Sequence, residues 1–451
     1  MTPEDQPKYL AAIIGAGPAG LFAARQLVTD GAHVVVFNRD VKPGGLAEYG
    51  IYHDKHKMKE GLRKQFRQIL ASPQIDYYGN VTVGQSAGLT LSELRELGFQ
   101  AVLVTVGAQG TKWQGLPGED LRGVYHAKDL VYHYNKLPPF SQQPFVIGRR
   151  VAVVGVGNVM LDIAHWLIRD LKVDEVIAVA RRGPAEVKFD KVEMQYVAAN
   201  LDLAALDAEL ERARPVMEAV GQDLSKAKAF ILSALPKALE PISNSHFRFD
   251  FLASPTRMIG DAHNRVVGLA VEDNTLVTSN GDTKAKGLGT TRVIEVDTVI
   301  FAIGDRVDET FGLPVKWNSF VKNPEPRFPV DGLSYEAYDP NANKWMEGVF
   351  VAGWSREAST GLVGAARKDG IHGAKAVAQY LHTLSPVYNG TLEALAERLA
   401  HLGKPVVSKS DWQRLEEIER AEAEKRGLEE FKFASSEEML EAMGLVVAQA
   451  V

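Results

Sequence analysis

Short apolar runs alternate with helix-like stretches along most of this chain. Residues 9–16 form a continuous apolar run, residues 18–29 place apolar side chains at helical spacing, and residues 33–38 form a second run. Runs that are apolar on both faces are typical of parallel strands covered by helices. The pattern therefore predicts that a strand–helix–strand unit opens the chain.

The same pattern returns in the middle of the chain. Residues 149–158 and 175–184 are strand-like and enclose a helix-like stretch, and residues 246–300 alternate between strand-like runs and turns. Residues 386–451 are rich in Glu, Lys and Arg and mostly helical in pattern. We therefore predict an α/β fold with two Rossmann-like dinucleotide-binding domains and a helical C-terminal tail.

A glycine-rich turn follows the first strand of the first unit. Gly15, Gly17 and Gly20 give the spacing G-x-G-x-x-G between a strand and a helix. The first glycine permits a tight turn, the second lets the backbone approach a pyrophosphate, and the third lets the helix pack closely on the strand. In this context the spacing predicts a dinucleotide site.

The second unit has a similar turn with one departure. Gly155 and Gly157 are present, but Met160 stands where a third small residue is usual. We expect the helix and the strand to lie slightly further apart there. Asn158, directly after the second glycine, is a candidate to present its amide near the phosphates.

The ends of the second strands distinguish the two sites. An acidic residue that bonds the ribose hydroxyls is usual at this position, but the first unit has Asn38, whose amide can also hydrogen-bond a diol. The second unit has Arg181 and Arg182, whose guanidinium groups suit a 2′-phosphate. The second site is therefore predicted to bind NADP rather than NAD, the alternative being two solvated arginines at a strand end.

Composition narrows the possible classes of protein. A chain of 451 residues suits two domains, and a formal net charge of -6 gives no basic footprint for nucleic acid. The chain has no cysteine, which excludes redox-active thiol pairs and cysteine-held iron–sulfur clusters of its own. No uncharged apolar segment reaches the roughly 18 residues of a membrane span. We expect a cytoplasmic protein, without a metal site.

Several segments together form a pattern that is more specific than either glycine turn. In chain order they are GAGPAG (15–20), GLAEYGI (45–51), YGNVTVG (78–84), LPGEDLRGV (116–124), GVGNVMLD (155–162), RRGPAEVKF (181–189), AIG (302–304) and AGWSREASTGLVG (352–364). With them, nearly the whole chain resembles the adrenodoxin-reductase-like ferredoxin–NADP reductases, including their bacterial members.

The resemblance implies FAD in the first site and NADPH in the second. It also implies a discontinuous FAD-binding domain, residues 1–108 plus 330–385, into which an NADP-binding domain of residues 109–329 is inserted. The tail, residues 386–451, would pack on or extend the FAD-binding domain.

Carried over position by position, the resemblance assigns cofactor contacts and two catalytic-region residues. The implied FAD contacts are Gly15, Gly17, Ala19, Gly20, Asn38, Leu46, Val81, Trp354, Gly361, Leu362 and Val363. The implied NADP contacts are Val156, Gly157, Asn158, Val159, Arg181, Arg182, Glu193 and Gly361. Glu193 matches the family's catalytic-region carboxylate, and Lys55 stands where the family has a histidine. Since a lysine cannot copy imidazole chemistry near pH 7, the flanking His53 and His56 are possible substitutes.

The resemblance also implies the route of the electrons. NADPH would reduce the flavin by hydride transfer, and the electrons would leave singly. Because the chain has no thiols, the acceptor must be external, and ferredoxin or flavodoxin is the first candidate. Both carriers are acidic, so we expect a basic docking face. Its candidate residues are Arg63, Lys64, Arg67, Lys226, Lys228 and Lys237.

Three alternative functions stay open. The chain could be the flavoprotein subunit of a larger NADPH-dependent complex, similar to the small subunit of glutamate synthase, although the cysteine-rich domain of those chains is absent. It could be a flavin monooxygenase, although the signature of that class is missing. It could also be a nucleotide-binding scaffold with a decayed flavin site, because Asn38, Lys55, Met160, Ala358 and Ser359 depart from the usual residues. Trp412 could anchor the tail to the body or to a second subunit, and the oligomeric state is undecided.

Overall fold

The computed structural model describes residues 7–85, 88–279, 281–388 and 391–445. The chain has the mixed α/β fold that its hydrophobic pattern predicts. Its strands are β1 (Tyr9–Ile14), β2 (Ala32–Phe37), β3 (Ile75–Tyr78), β4 (Ala101–Val104), β5 (Val124–His126), β6 (Arg150–Val154), β7 (Glu175–Val179), β8 (His246–Asp250), β9 (Ala253–Gly260), β10 (Val266–Ser279), β11 (Asp282–Ile294), β12 (Thr298–Phe301), β13 (Val315–Lys316), β14 (Ser319–Phe320), β15 (Glu336–Asp339) and β16 (Lys344–Val351).

The α-helices lie between these strands and in the tail. They are α1 (Pro18–Thr29), α2 (Leu46–Tyr49), α3 (His56–Leu70), α4 (Leu91–Glu96), α5 (Ala127–Tyr134), α6 (Asn158–His165), α7 (Lys191–Met194), α8 (Leu203–Glu218), α9 (Leu224–Leu232), α10 (Val363–Leu381), α11 (Glu393–Ala400), α12 (Lys409–Arg426) and α13 (Ser436–Ala442). No helix within the described ranges is both long enough and apolar enough to cross a membrane.

The chain divides into two compact units. The first comprises residues 1–111, 132–142 and 304–451, and the second comprises residues 112–131 and 143–303. Residues 304–329, which the sequence analysis assigns to the inserted domain, thus lie in the first unit. The assignment of one cofactor to each domain stays a prediction.

A six-stranded sheet forms the centre of the first unit, in the order β15–β16–β4–β1–β2–β3. β1 is parallel to both of its neighbours, β2 and β4, and every residue of β1 is buried. β16 extends the parallel part of the sheet, and β15 is added antiparallel at its edge. Parallel strands end at one edge of a sheet, so the turn after β1 and the end of β2 lie side by side.

A five-stranded parallel sheet forms the centre of the second unit, in the order β5–β12–β6–β7–β8. β6 lies between β12 and β7, so the turn that follows β6 adjoins the end of β7. A separate antiparallel sheet, in the order β11–β10–β9, completes this unit.

The tail helices α11, α12 and α13 belong to the first unit. Trp412 is 2% exposed, and together with Leu415 it lies in one hydrophobic cluster with residues of β1, α1 and β2. Ser408 caps α12 and forms reciprocal hydrogen bonds with Asp411, which satisfies the free backbone donors at the start of this helix. Within the chain, therefore, Trp412 anchors the tail to the body of the first unit.

Candidate dinucleotide-binding sites

The first glycine turn passes directly beside β4. Gly15 has a φ of +106°, and a Cβ at this position would approach the carbonyl oxygen of Thr105 to 2.6 Å. The Thr105 hydroxyl donates to the carbonyl oxygens of Ile14 and Gly15, at 3.0 and 2.8 Å. Glycine is therefore required at Gly15 by backbone conformation and by packing.

Gly17 and Gly20 differ in what requires them. A Cβ at Gly20 would overlap the carbonyl oxygen of Gly15, so close packing of α1 on the turn explains this glycine. Gly17 has a φ of -78°, which any residue adopts, and a Cβ there would meet no atom of the described residues within 4 Å. The space above Gly17, at the N-terminus of α1, suits a bound anion.

Asn38 braces the first turn from the end of β2. Its Oδ1 accepts a hydrogen bond from the Ala16 N–H at 3.1 Å. Its Nδ2 donates to the carbonyl oxygens of Asp40 and Lys42, each at 2.9 Å. Because both amide hydrogens are used inside the protein, a ribose hydroxyl could only donate to the remaining lone pair of Oδ1. The main contribution of Asn38 in this structure is to fix the turn.

Three other predicted FAD residues lie close to this turn. Val81 follows β3, and its N–H donates to the Asn38 carbonyl oxygen at 2.9 Å. Leu46 begins α2 directly after Gly45, where a Cβ would lie 3.0 Å from the Gly17 Cα. Ala19 lies on α1 and packs closely against Gly353, since a Cβ added to Gly353 would come within 2.7 Å of the Ala19 side chain.

The remaining predicted FAD residues lie between β16 and α10. Trp354 donates from its indole Nε1 to the Thr360 carbonyl oxygen at 3.0 Å, which holds the segment that leads to Gly361. Gly361 has a φ of +72°, Leu362 is 65% exposed, and Val363 is the first residue of α10. The first unit thus carries its predicted residues on the turn after β1 with the start of α1, after β2 and β3, at the start of α2, and from the end of β16 to the start of α10.

The second glycine turn repeats the geometry of the first. Gly155 has a φ of +130°, and a Cβ on it would overlap the carbonyl oxygen of Ala302, which directly follows the neighbouring strand β12. Gly157 has a φ of -110°, and a Cβ at this position would meet nothing within 4 Å in the described part of the chain. Val159, on the first turn of α6, is 43% exposed. This turn therefore also leaves open space at a helix N-terminus.

Asn158 joins this turn to the segment before α7. Its Nδ2 donates to the Asp190 carboxylate at 2.7 Å, and its Oδ1 accepts from the Asp190 N–H at 2.7 Å. Nearby, the Lys188 N–H donates to the Val156 carbonyl oxygen at 2.8 Å. In this structure the Asn158 amide is thus paired with Asp190, and its predicted contact with the phosphates stays a prediction.

Glu193 and the two arginines belong to the segments that follow β7 in the second unit. Glu193 lies on α7, one turn after Asp190, and is half-buried. Arg181 is exposed after β7, and among the described residues none forms a hydrogen bond or ion pair with its guanidinium. Arg182 is half-exposed, and its Nη1 makes one long hydrogen bond, 3.4 Å, to the Thr283 carbonyl oxygen. Both guanidinium groups thus retain donors for an anionic ligand.

Lys55 and its neighbouring histidines lie at the start of α3. The Lys55 carbonyl oxygen accepts the N–H groups of Met58 and Lys59, each at 3.1 Å, and begins the helix. The His53 ring lies 4.5 Å from the Tyr52 ring, whereas His56 faces Glu429 and Glu430 at 3.5 and 3.7 Å. The roles of Lys55 and Glu193 stay predictions.

Comparisons with known proteins agree with this geometry. A family model described as pyridine nucleotide-disulphide oxidoreductase matches residues 9–207. The structure of Mycobacterium tuberculosis FprA in complex with NADPH is 28% identical, with a TM-score of 0.80 over 97% of this chain and 100% of that one. The NADPH-ferredoxin reductase FprA of Mycobacterium leprae is 29% identical over 95% of this chain and 97% of its own length. The mitochondrial NADPH:adrenodoxin oxidoreductase of Salvelinus fontinalis is 28% identical over 98% and 92%.

The chain is a homologue of FprA and of the adrenodoxin reductases. The resemblance that the sequence segments indicate is thereby confirmed, together with the α/β fold class. The disulphide chemistry in the description of the family model has no counterpart here, because this homologue contains no cysteine.

A cluster of buried charges lies beneath the segment that carries Leu46. We call it the charge cluster, and its members are Lys42, Glu48, Lys59, Arg63, Glu419, Glu430 and Lys432. Glu48, on α2, is 3% exposed and pairs with Lys432 at 2.9 Å and with both ends of the Arg63 fork at 2.7 Å. Lys42 pairs with Glu48 and, more closely, with Glu419. The cluster therefore ties α2 and α3 to the C-terminal tail.

Lys59 is a member that the sequence analysis did not single out. It is fully buried, and its Nζ donates to Asn135 Oδ1 at 2.8 Å and lies 3.9 Å from Glu430. Burial, reinforced by the charge of Lys432, lowers the pKa of Lys59 from 10.5 to about 7. Its position in the sequence could have indicated burial, because Lys59 shares a face of α3 with the apolar residues Leu62 and Phe66.

This pKa predicts a dependence of stability on pH. Between pH about 7 and 10.5, folded Lys59 is neutral whereas the unfolded side chain is protonated. The unfolded state then binds more protons, so the unfolding free energy should rise with pH, by up to about 1.4 kcal/mol per unit. We expect Lys59→Met to remove this rise in urea denaturation measured across that range. The same substitution at the exposed Lys57 should preserve it, and a rise that survives Lys59→Met would contradict the assignment.

Several candidate residues of the predicted basic docking face already have acidic partners inside the protein. Arg63 is a half-buried member of the charge cluster, and Arg67 pairs with Glu60 and with Glu416. In the second unit, Lys226 pairs with Asp223 at 3.7 Å and Lys228 with Asp207 at 2.7 Å. The charge of Arg63 is thus already compensated by Glu48 and Glu430 inside the protein. Lys64 and Lys237 are exposed, and their role stays a prediction.

Proposed function

We propose that this protein is an FAD-dependent ferredoxin–NADP(+) reductase, which takes electrons from NADPH and passes them singly to an iron–sulfur carrier protein. A ferredoxin is the iron–sulfur carrier that we propose first, and a flavodoxin, which carries a flavin instead of a cluster, is the alternative acceptor. The relatives are named as NADPH-ferredoxin and NADPH:adrenodoxin reductases, and this chain spans nearly their whole length.

The observation that carries the proposal is the pair of glycines at Gly17 and Gly157. Neither position has a left-handed φ, and neither Cβ would meet a described atom within 4 Å. Protein conformation and packing therefore do not explain why both are glycine. A pyrophosphate that approaches the backbone at each helix N-terminus does explain it. Two such turns in one chain suit two dinucleotides.

The residues of the first unit fit FAD. Asn38 and Thr105 hold the turn after β1 rigid, so the N–H groups at the start of α1 are preorganised for the pyrophosphate. The segment that starts with Leu46 and the segment from Trp354 to Val363 would complete the site. When bound, a flavin accepts an electron pair and releases single electrons.

The residues of the second unit fit NADPH. The start of α6, with Val156, Gly157 and Val159, would bind the pyrophosphate, and Arg181 and Arg182 would bind the 2′-phosphate. Asn158 would act by fixing the turn to Asp190. Hydride transfer needs orientation more than acid–base chemistry, so we propose that Glu193 and Lys55 orient groups and adjust the local charge. Without cysteines, the electrons leave this chain directly to an external acceptor.

The proposal is tested by anaerobic titration of the purified protein, followed at the flavin absorbance. We expect bound flavin that NADPH bleaches at one equivalent, and much slower bleaching with NADH. Reduced protein should then reduce a [2Fe–2S] ferredoxin. A colourless protein, or bound flavin that neither nucleotide reduces, would overturn the proposal in favour of a nucleotide-binding scaffold.

Three glycine variants sharpen this titration. Gly17→Ala should lose flavin, because the methyl group occupies the space for the pyrophosphate, and Gly157→Ala should retain flavin but bind NADPH more weakly. Gly61→Ala is the matched control, since a Cβ on Gly61 also meets no described atom within 4 Å but lies on the exposed face of α3. The control should titrate like the wild type.

A further inference from the structure

The turn that carries Arg181 and Arg182 is anchored at three successive residues. The Ala180 carbonyl oxygen accepts the Ala253 N–H at 2.9 Å, and the Arg182 carbonyl oxygen accepts the Leu252 N–H at 3.1 Å. Between them, the Arg181 carbonyl oxygen accepts a hydrogen bond from the side chain of Asn274, Nδ2, at 2.8 Å. Two anchors are therefore backbone groups, and the third can be removed by mutation.

Asn274 is built into the strand that supports this turn. It is 3% exposed and lies at the irregularity in the pairing of β10 with β11. Its backbone N–H donates to the Leu252 carbonyl oxygen at 2.8 Å, and its Nδ2 also donates to Ser254 Oγ at 2.8 Å. Both hydrogens of the side-chain amide are thus used in hydrogen bonds, one of them to the Arg181 carbonyl oxygen.

Leu252 shows that this arrangement is held against local strain. Its φ is +51°, a conformation that is unfavourable for a leucine, and it is 1% exposed. In this conformation its N–H meets the Arg182 carbonyl oxygen while its own carbonyl oxygen meets Asn274. The strained conformation of Leu252 thus lets its backbone connect the arginine turn to β10.

The strand next to β10 supports the second arginine. The Thr283 carbonyl oxygen on β11 accepts from Arg182 Nη1, and Thr283 pairs with Thr278 of β10. The hairpin of β10 and β11 therefore orients both arginines, the first through its backbone and the second through its side chain.

We infer that Asn274 is a positioning residue for recognition of the 2′-phosphate of NADPH, acting through the backbone of Arg181. This rests on the proposed function of the second unit. Asn274 is buried and uncharged, so it does not itself bind the phosphate. By fixing the Arg181 carbonyl oxygen it sets the direction in which the exposed guanidinium leaves the turn, which determines the geometry of a bidentate contact.

The test compares two nucleotides that differ only in the 2′-phosphate. Calorimetric binding of 2′,5′-ADP and of 5′-AMP is measured on the holoprotein, for the wild type and for Asn274→Ala. We expect 2′,5′-ADP to bind about tenfold more weakly to the variant, with 5′-AMP unchanged. In steady-state kinetics, kcat/KM should fall about tenfold for NADPH and stay unchanged for NADH.

Asn200→Ala is the matched control. Asn200 is also buried in the second unit, and its Nδ2 also donates twice, to the carbonyl oxygens of Ser243 and Ser245 at 3.1 and 3.0 Å. It should leave the ratio of the two affinities unchanged. If Asn274→Ala does not fold, Asn274→Leu keeps most of the buried volume and serves in its place.

A double-mutant cycle with Arg181→Ala separates positioning from general loosening. If Asn274 acts through Arg181, adding Asn274→Ala to Arg181→Ala should weaken 2′,5′-ADP binding no further. Equal losses for both nucleotides, or an unchanged ratio in Asn274→Ala, would overturn the inference. A wild type that binds 2′,5′-ADP and 5′-AMP equally would instead overturn the proposed NADP specificity.

Discussion

Replacing Glu48 with alanine should lower the unfolding free energy by about 3–5 kcal/mol, the typical cost of removing one partner from a buried ion pair. Glu48 compensates Lys42, Arg63 and Lys432, and each of these contacts is buried or half-buried. Without it, the remaining carboxylates Glu419 and Glu430 must compensate all the cations of the charge cluster. The expected result is a lower midpoint in urea denaturation followed by circular dichroism.

The loss should depend on pH in a defined direction. Burial alone would raise the pKa of Glu48, but Lys42, Lys432 and Arg63 outweigh burial and hold the pKa well below 4.5. A carboxyl with a depressed folded pKa stabilises the protein above its unfolded pKa, and this stabilisation is lost as the pH falls through the folded pKa. The difference between the wild type and Glu48→Ala should therefore be largest above pH about 4.5 and shrink below it.

Two further variants decide whether charge is responsible. Glu48→Gln keeps the side-chain shape and removes the charge, so it should retain most of the loss if electrostatics dominate. Glu60→Ala removes a carboxylate whose side chain is 58% exposed and pairs with Arg67, and should cost less than about 1 kcal/mol. Equal, small losses for Glu48→Ala and Glu60→Ala would show that the charge cluster does not hold the tail to the body.

The parts of this fold that are predictable from sequence are those with a local signal. The helix predicted at 18–29 is α1 (Pro18–Thr29), because helical spacing of apolar residues and a proline in the first turn both mark it. Gly15 and Gly155 have positive φ, as tight turns require, and each directly follows a strand. Such features need only a few neighbouring residues to be recognised.

Asn38 and Arg63 have partners inside the protein that no local pattern predicts. The end of β2 predicts a ligand contact for Asn38, yet its amide also contacts Ala16 and Tyr77, which are distant in sequence. The charged helix predicts a docking role for Arg63, yet Arg63 pairs with Glu430, which is distant in sequence as well. No sequence pattern indicates the role of Asn274, because this role depends on its hydrogen bond to the carbonyl oxygen of Arg181, which is distant in sequence. Tertiary contacts decide whether a polar side chain is available for function, and no local pattern encodes them.

The double variant Arg181→Ala/Arg182→Ala should lower kcat/KM for NADPH by about 10²–10³ while leaving NADH unchanged. A hydrogen bond to a charged group contributes about 1.5–3 kcal/mol, and about 1.4 kcal/mol corresponds to a factor of ten. Loss of one contact from each guanidinium therefore costs about 3 kcal/mol or more, which corresponds to a fall in kcat/KM of at least about 10². NADH lacks the 2′-phosphate and reports on all other steps.

The structure makes this a test of binding rather than of folding. Arg181 is exposed and has no side-chain partner among the described residues, while Arg182 makes only the long bond to Thr283. Their removal leaves no buried charge uncompensated, so the melting temperature should change little. Arg257→Ala, at an exposed arginine on β9 in the same unit, should leave both coenzymes unaffected.

The single variants should differ in size. Arg182 is partly engaged by Thr283 and Arg181 is not, so Arg181→Ala should cause the larger loss of NADPH activity. Steady-state reduction of ferricyanide, with NADPH and with NADH in turn, measures the activity of each single variant without a protein acceptor. A fall that is equal for NADPH and NADH would place the arginines in general nucleotide binding. No fall would mean that the end of β7 does not face the 2′-phosphate. A guanidinium group in contact with a dianion contributes to its binding, so its removal would lower the affinity for NADPH.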